Sequence, residues 1–305
     1  RLGLPVNAPD PVHQSIVEQL RFPRVLLAGL VGAALAISGA ALQGLFRNPL
    51  ADPGLLGVSA SAALAAVGAI VFSRFLLGAL APGWEAWLVP GSAFLGALAG
   101  TLLIYRLGRS SGQVDVPLML LLGVAVNAVA GAGIGLMAYL AEDQALRTLT
   151  FWGLGSFGAA SWGQVGLMVL AMAGAALTLL ATARSLDVFT LGESEAGHLG
   201  VDVDALKRRV ILATALATGA AVAVAGMIGF VGLVVPHLLR LLMGPGHRLL
   251  LPASALLGAS LLVGADMVSR SLVAPAELPV GFVTALIGGP VFFWLLLRER
   301  GRGGL

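Results

Sequence analysis

The chain has 305 residues, of which 58% are hydrophobic and 11% charged, with a formal net charge of +3 and a mean hydropathy of +0.96. A soluble domain carries roughly one-quarter charged residues, so this composition belongs to a polytopic membrane protein. Cysteine is absent, which excludes disulfides, thiolate metal sites and thiol catalysis together. The excess cations are arginines set between apolar runs, Lys207 being the single lysine, so they report topology and no nucleic-acid partner is expected.

A bilayer core of about 30 Å is crossed by a helix rising about 1.5 Å per residue. The first run that satisfies this length, Val25 to Phe46, is bounded by Leu20-Arg21-Phe22-Pro23-Arg24 and by Arg47-Asn48-Pro49-Leu50-Ala51-Asp52-Pro53-Gly54, with no charge inside. Apolar windows predict crossings over 24–46, 55–73, 88–105, 117–140, 164–183, 210–228, 230–243, 249–269 and 280–297. The run 230–243 is short and contains Pro236, which suits a tilted, broken or re-entrant helix. Two linkers interrupt the series, Glu142 to Gln164 and the more polar Arg184 to Arg209. Neither reads as a separate domain, so residues 1–305 form one transmembrane domain.

Lysine and arginine concentrate on the cytoplasmic side. With the C-terminus inside, nine crossings put Arg47, Arg106, Arg109, Arg184, Lys207, Arg208, Arg209, Arg240, Arg248, Arg298, Arg300 and Arg302 in the cytoplasm, against Arg1, Arg21, Arg24, Arg74, Arg147 and Arg270 outside. That distribution favours this orientation over its inverse. It also places Arg1 outside without a signal peptide, so at least one further helix is expected upstream.

Two segments resemble each other. Gly32-Ala33-Ala34-Leu35-Ala36-Ile37-Ser38-Gly39 matches Gly219-Ala220-Ala221-Val222-Ala223-Val224-Ala225-Gly226, and the same displacement takes Pro49 to Pro236. Small residues at this spacing also arise from helix packing alone, but the shared proline favours a repeat. Repeat halves over about 20–140 and 207–297 are separated by an odd number of crossings and therefore run in opposite directions, the inverted plan of many transporters.

Proton or sodium coupling places ionisable groups inside helices, at roughly 2.5–3.5 kcal/mol each. The crossings beginning at Val25, Leu55, Leu118, Val165 and Val280 hold none, which argues against an ion-coupled secondary transporter. A P-loop needs lysine followed by serine or threonine, and Lys207 is followed by Arg208. The chain is therefore expected not to be an enzyme, and its energy to come from a partner. A passive channel or scaffold is the third class considered.

The segment Leu191-Gly192-Glu193-Ser194-Glu195-Ala196-Gly197-His198-Leu199-Gly200-Val201, followed by Leu206-Lys207-Arg208-Arg209, reads as a short helix, a glycine stop and a second helix starting at the membrane surface. Together with Leu20-Arg21-x-Pro23-Arg24, Asn48-Pro49-Leu50-Ala51-x-Pro53-Gly54-Leu55-Leu56-Gly57, Gly229-Phe230-Val231-Gly232-Leu233-Val234-Val235-Pro236-His237 and Glu277-Leu278-Pro279-Val280-Gly281, it resembles the permease subunits of type II ATP-binding-cassette importers for cobalamin, ferric siderophores and haem. The resemblance covers the whole chain and implies an all-α fold of ten helices with an inverted repeat, nine of them in this chain. It also implies a homodimer in the bacterial inner membrane, surrounded by lipid, working with two ATPase subunits and an external binding protein.

Residue roles follow from the resemblance. Arg21, Arg24 and Arg270, at external helix ends, correspond to positions that dock the binding protein, their guanidinium groups suited to carboxylates; lipid anchoring is the alternative. The segment 187–207 corresponds to the ATPase-coupling element, with Gly192, Glu193, Ser194, Glu195, Ala196, His198, Leu199 and Gly200 as contacts. The loop Ser110 to Pro117 corresponds to the inner gate, with Val114, Val116 and Pro117 where relatives often carry small hydroxyl residues. His237 beside Pro236 is expected to be structural. No catalytic residue, metal ligand or tightly bound cofactor is expected.

The cargo is read as haem, with ferric siderophores or cobalamin as alternatives, because Thr150-Phe151-Trp152 through Gly155-Ser156, with Ser161-Trp162 after it, looks most like the haem permeases. Arg147, Phe151 and Trp152 are the pathway candidates. Arg147 suits a haem propionate, and equally an interfacial anchor or a pair with Glu142; the aromatics equally suit an interfacial belt.

Overall fold

The computed structural model describes residues 11–73, 75, 84–110 and 113–300. Arg1, Arg74, Ser111, Gly112 and Arg302, which figure in the topology and gate expectations, lie outside the described residues. Helix α1, Pro11–Ile16, continues through a π-helical turn, Val17–Arg21, into α2, Phe22–Leu45. The helix thus begins well before residue 24, because its first turns are exposed and polar and a hydropathy window passes over them. Pro23 has no N–H to give to the turn before it, and the wider π turn sits where that bond is missing.

After α2 the chain reverses through Arg47, at φ 48°. Asp52 then caps a 3-10 turn, Pro53–Leu56, its Oδ1 accepting from Gly54 N at 2.8 Å. Helix α3 spans Val58–Val71 and α4 Glu85–Leu107. A two-residue-per-strand hairpin, β1 (Arg109–Ser110) with β2 (Gln113–Val114), leads into α5, Val116–Leu140, whose N-cap Asp115 accepts from Leu118 N at 3.0 Å. Then follow α6 (Asp143–Gly153), α7 (Trp162–Phe189), α8 (Glu193–His198), α9 (Val203–Ala225), α10 (Val231–Met243), α11 (His247–Ser271) and α12 (Val280–Arg300).

Among the described residues, six helices are long and apolar enough to cross a membrane, and three shorter apolar helices lie over 58–71, 231–243 and 280–295. Each expected crossing overlies one of these. The described residues are all-α apart from the hairpin. What the sequence did not separate is α6, an eleven-residue amphipathic helix inside the linker, so Arg147 sits on a short helix of its own and not at the end of a crossing.

Helix α2 is the hub, packed against α7, α9, α10 and α11. Its approach to α11 is backbone to backbone: a Cβ on Gly32 would overlap the Gly258 carbonyl, and one on Gly258 would overlap that of Gly32. Without a hydrophobic drive between helices in lipid, such close van der Waals contact is what joins them. The matching small-residue segments at Gly32–Gly39 and Gly219–Gly226 lie on α2 and at the end of α9, the two most deeply buried of the long spans.

Candidate functional site

Three clusters hold the sequence-predicted site residues among the described residues. On the face predicted to be external, Arg24 on α2 holds Asp266 of α11 through Nε at 3.0 Å and Nη2 at 2.8 Å, and through Nη1 reaches Glu277, ahead of α12, at 2.9 Å. Arg270 approaches the other oxygen of Asp266 at 3.2 Å. Asp266 is 1% exposed and Arg24 12% exposed. A buried carboxylate without a compensating charge is costly, and here the partners are two of the arginines expected to face a docking protein. Arg24 and Arg270 are therefore engaged within the chain, whereas Arg21, on the π turn, is exposed. All three were expected as docking positions; the geometry distinguishes them by what each already holds within the chain.

The second cluster is the linker predicted to be external. On α6, Arg147 and Phe151 are exposed, while Trp152 is half-buried against the core. The linker aromatics divide: Phe157 is a core side chain at 1% exposure, and Trp162 donates Nε1–H to the carbonyl of Glu18 at 3.0 Å, tying α7 to the first helix. The turn after α6 is fixed by Gly155, at φ 70°, with Ser156 N donating to Ala225 O at 2.8 Å and Val280 N to Gly155 O at 3.0 Å. A cavity of about 540 Å³ opens beside α6, between Phe72, Ser73, Leu140, Glu142, Gln144 and Thr148. Arg147, Phe151 and Trp152 do not line it.

The third cluster lies at the predicted cytoplasmic face. Gly192, at φ 140°, and Gly200, at φ 83°, bracket α8 in backbone conformations that side-chain-bearing residues rarely adopt. Ala196 is buried and anchors the helix, while Ser194, Glu195, His198 and Leu199 are exposed. Lys207, 2% exposed, donates to Val114 O of the hairpin at 2.8 Å and to Glu193 of α8 at 2.5 Å. One turn away Asp204 accepts from Val114 N at 3.2 Å. One ammonium thus joins α8, α9 and the hairpin that starts α5. Val114 is buried by this grip, Val116 is half-buried and Pro117 exposed.

Sequence reasoning passed over Asp266, Glu277 and Lys207 as site residues. Asp266 was visible as an acid inside the expected 249–269 crossing, and a carboxylate there calls for a cation. Lys207 was read as a cytoplasmic cation at the end of the coupling segment and as unable to serve a P-loop, not as a buried junction.

A family model, the FecCD transport family, matches residues 4–298. The chain is 49% identical over 281 residues to the hemin transport system permease protein HmuU of Yersinia pestis, covering 92% of this chain and 83% of that one. It is 45% identical to the uncharacterized ABC transporter permease protein YvrB of Bacillus subtilis, covering 99% and 84%. To the vitamin B12 import system permease protein BtuC of Klebsiella pneumoniae it is 42% identical, covering 95% and 85%. Among solved structures, an inward-facing ABC transporter assigned to the metal-chelate type superposes with a TM-score of 0.86 at 34% identity, covering 98% of this chain and 92% of that one.

Proposed function

The chain belongs to the FecCD transport family as a permease subunit of an ATP-binding-cassette importer, and on that footing we propose that its cargo is haem, taken from an external binding protein and released into the cytoplasm. The chain is not itself an enzyme; ATP hydrolysis belongs to the partner ATPase. The observation that carries haem is the 49% identity to a hemin permease. A second reading, cobalamin, rests on the 42% identity to a vitamin B12 permease over a similar share of the chain.

In this reading α8 seats in the ATPase, with Ser194, Glu195, His198 and Leu199 as its contacts and Gly192 and Gly200 setting its angle. Glu193 turns back to Lys207. Movement of α8 then reaches the hairpin through the Lys207 ammonium, and the hairpin shifts Val114, Val116 and Pro117 at the inner gate. On the external side Arg21 supplies the free positive charge for docking, and Arg24 with Arg270 shapes that surface through Asp266. Haem meets α6, its propionates at Arg147 and its ring at Phe151, with Trp152 stiffening the helix from behind.

Two copies work together in the bacterial inner membrane, with the pathway between them. In this reading α5, the least buried long span, turns its exposed Leu121, Val124, Val129 and Tyr139 towards the second copy.

The test is ATPase stimulation in proteoliposomes containing the permease and its ATPase, by binding proteins loaded with haem, a ferric siderophore or cobalamin. Haem is expected to stimulate. Stimulation by the cobalamin-loaded protein alone defeats the cargo assignment and leaves the importer reading intact; uptake by the permease alone under an ion gradient defeats the mechanism proposed here.

A further inference from the structure

A cavity of about 370 Å³ opens where the ends of α2 and α7 meet α10 and the start of α11. Its walls include Gln43, Arg47, Thr190, His237, Arg240 and His247, with no carboxylate among the lining residues. Asp187, which pairs with the lining residue His247, is engaged: its Oδ1 accepts from His247 N and faces His247 Nδ1, each at 2.7 Å. Across the cavity Arg47 is exposed and stands 5.9 Å from the centroid of the Phe189 ring, which orients its guanidinium without neutralising it.

Arg240 is the informative residue. Its Nε and Nη2 are buried and have no hydrogen-bond partner among the described residues. Burial of a charged donor without an acceptor is costly, and buried charges in proteins are normally paired. A second guanidinium on the same walls, that of Arg47, makes the deficit one of negative charge and not only of an acceptor atom.

We propose that this cavity binds a phosphate group. The planar fork of a guanidinium matches two phosphate oxygens at once, and a volume of this size lies within the range of small-ligand pockets, about 300–1,000 Å³. The charge distribution puts Arg47, Arg240 and Arg248 at the cytoplasmic face, where basic pockets between membrane helices meet phosphate headgroups. The same chemistry is offered by an anionic lipid headgroup and by free phosphate. The site is separate from the Lys207 junction and does not depend on which cargo is carried.

The experiment uses the full chain, delipidated in a neutral detergent. Retention of phosphatidylglycerol is read by native mass spectrometry, and binding of inorganic phosphate by titration calorimetry. The wild-type chain is expected to bind at least one of them. Binding of phosphatidylglycerol alone assigns the lipid source; binding of phosphate as well assigns the free anion. Arg240→Gln is expected to weaken binding about tenfold to a hundredfold, as loss of a charged hydrogen-bond donor does, with Arg240→Lys between it and wild type because charge is kept without the fork. Arg47→Gln tests the opposite wall and serves if Arg240→Gln fails to fold. Arg248→Gln removes an exposed neighbouring charge outside the cavity lining and is expected to bind as wild type. Binding of neither anion, equal binding by Arg240→Gln or Arg47→Gln, or equal weakening by Arg248→Gln overturns the proposal.

Discussion

Arg24 and Asp266 stand 242 residues apart in the chain, and their pairing changes what each does. Beside Pro23, Arg24 reads from sequence as a surface cation; in the fold its three guanidinium nitrogens are all engaged by two carboxylates. Removing one partner of a buried pair leaves the other uncompensated, at about 3–5 kcal/mol. Arg24→Met is expected near the lower end of that range, because Arg270 still stands 3.2 Å from Asp266. The readout is the thermal unfolding midpoint of the purified chain. The double variant Arg24→Met with Asp266→Leu should recover most of the loss, since apolar replacement of a buried pair is often neutral; no recovery means that the pair is not what holds α2 to α11.

At the scale of elements, two contacts join segments that are far apart in the chain. The α2–α11 seam has no room for a side chain at Gly258, so Gly258→Val forces the helices apart, at about 1–3 kcal/mol or more. Gly264→Val on the same helix, where a Cβ meets nothing within 4 Å, is the control and should leave the midpoint nearly unchanged. At the junction of α8, α9 and the hairpin, Lys207→Met removes two charged hydrogen bonds, each about 1.5–3 kcal/mol. ATP hydrolysis by the assembled importer is expected to persist while cargo moved per ATP falls several-fold. Unchanged uptake per ATP excludes the ammonium as the link between α8 and the gate.

For the whole molecule, the nine apolar segments could be read from sequence because a bilayer imposes length and hydropathy on each crossing independently. Helix α6 escaped that reading because an eleven-residue amphipathic helix satisfies neither criterion. Docking is a whole-molecule property, since it depends on the net field of the external face. The charges of Arg24 and Arg270 are balanced by Asp266 and Glu277, so Arg21 stands out as the exposed cation of that group. Arg21→Glu is expected to slow association with the binding protein about tenfold at low salt and less at 0.15 M, where charges are screened over about 8 Å. Unchanged association kinetics at both ionic strengths would make Arg21 a lipid anchor.

Composition, the spacing of apolar runs and the placing of arginines determined the class, the crossings and the short helix between Gly192 and Gly200, because these depend on local sequence meeting a fixed solvent. Partnership was decided only in three dimensions. Asp266 finds Arg24, and Lys207 finds Val114 and Glu193, across stretches of chain whose relative placement follows from how the helices pack. The physical reason is that the energy of a charge in or near a membrane is set by what lies within a few ångströms of it, and sequence alone does not bring those distant groups together.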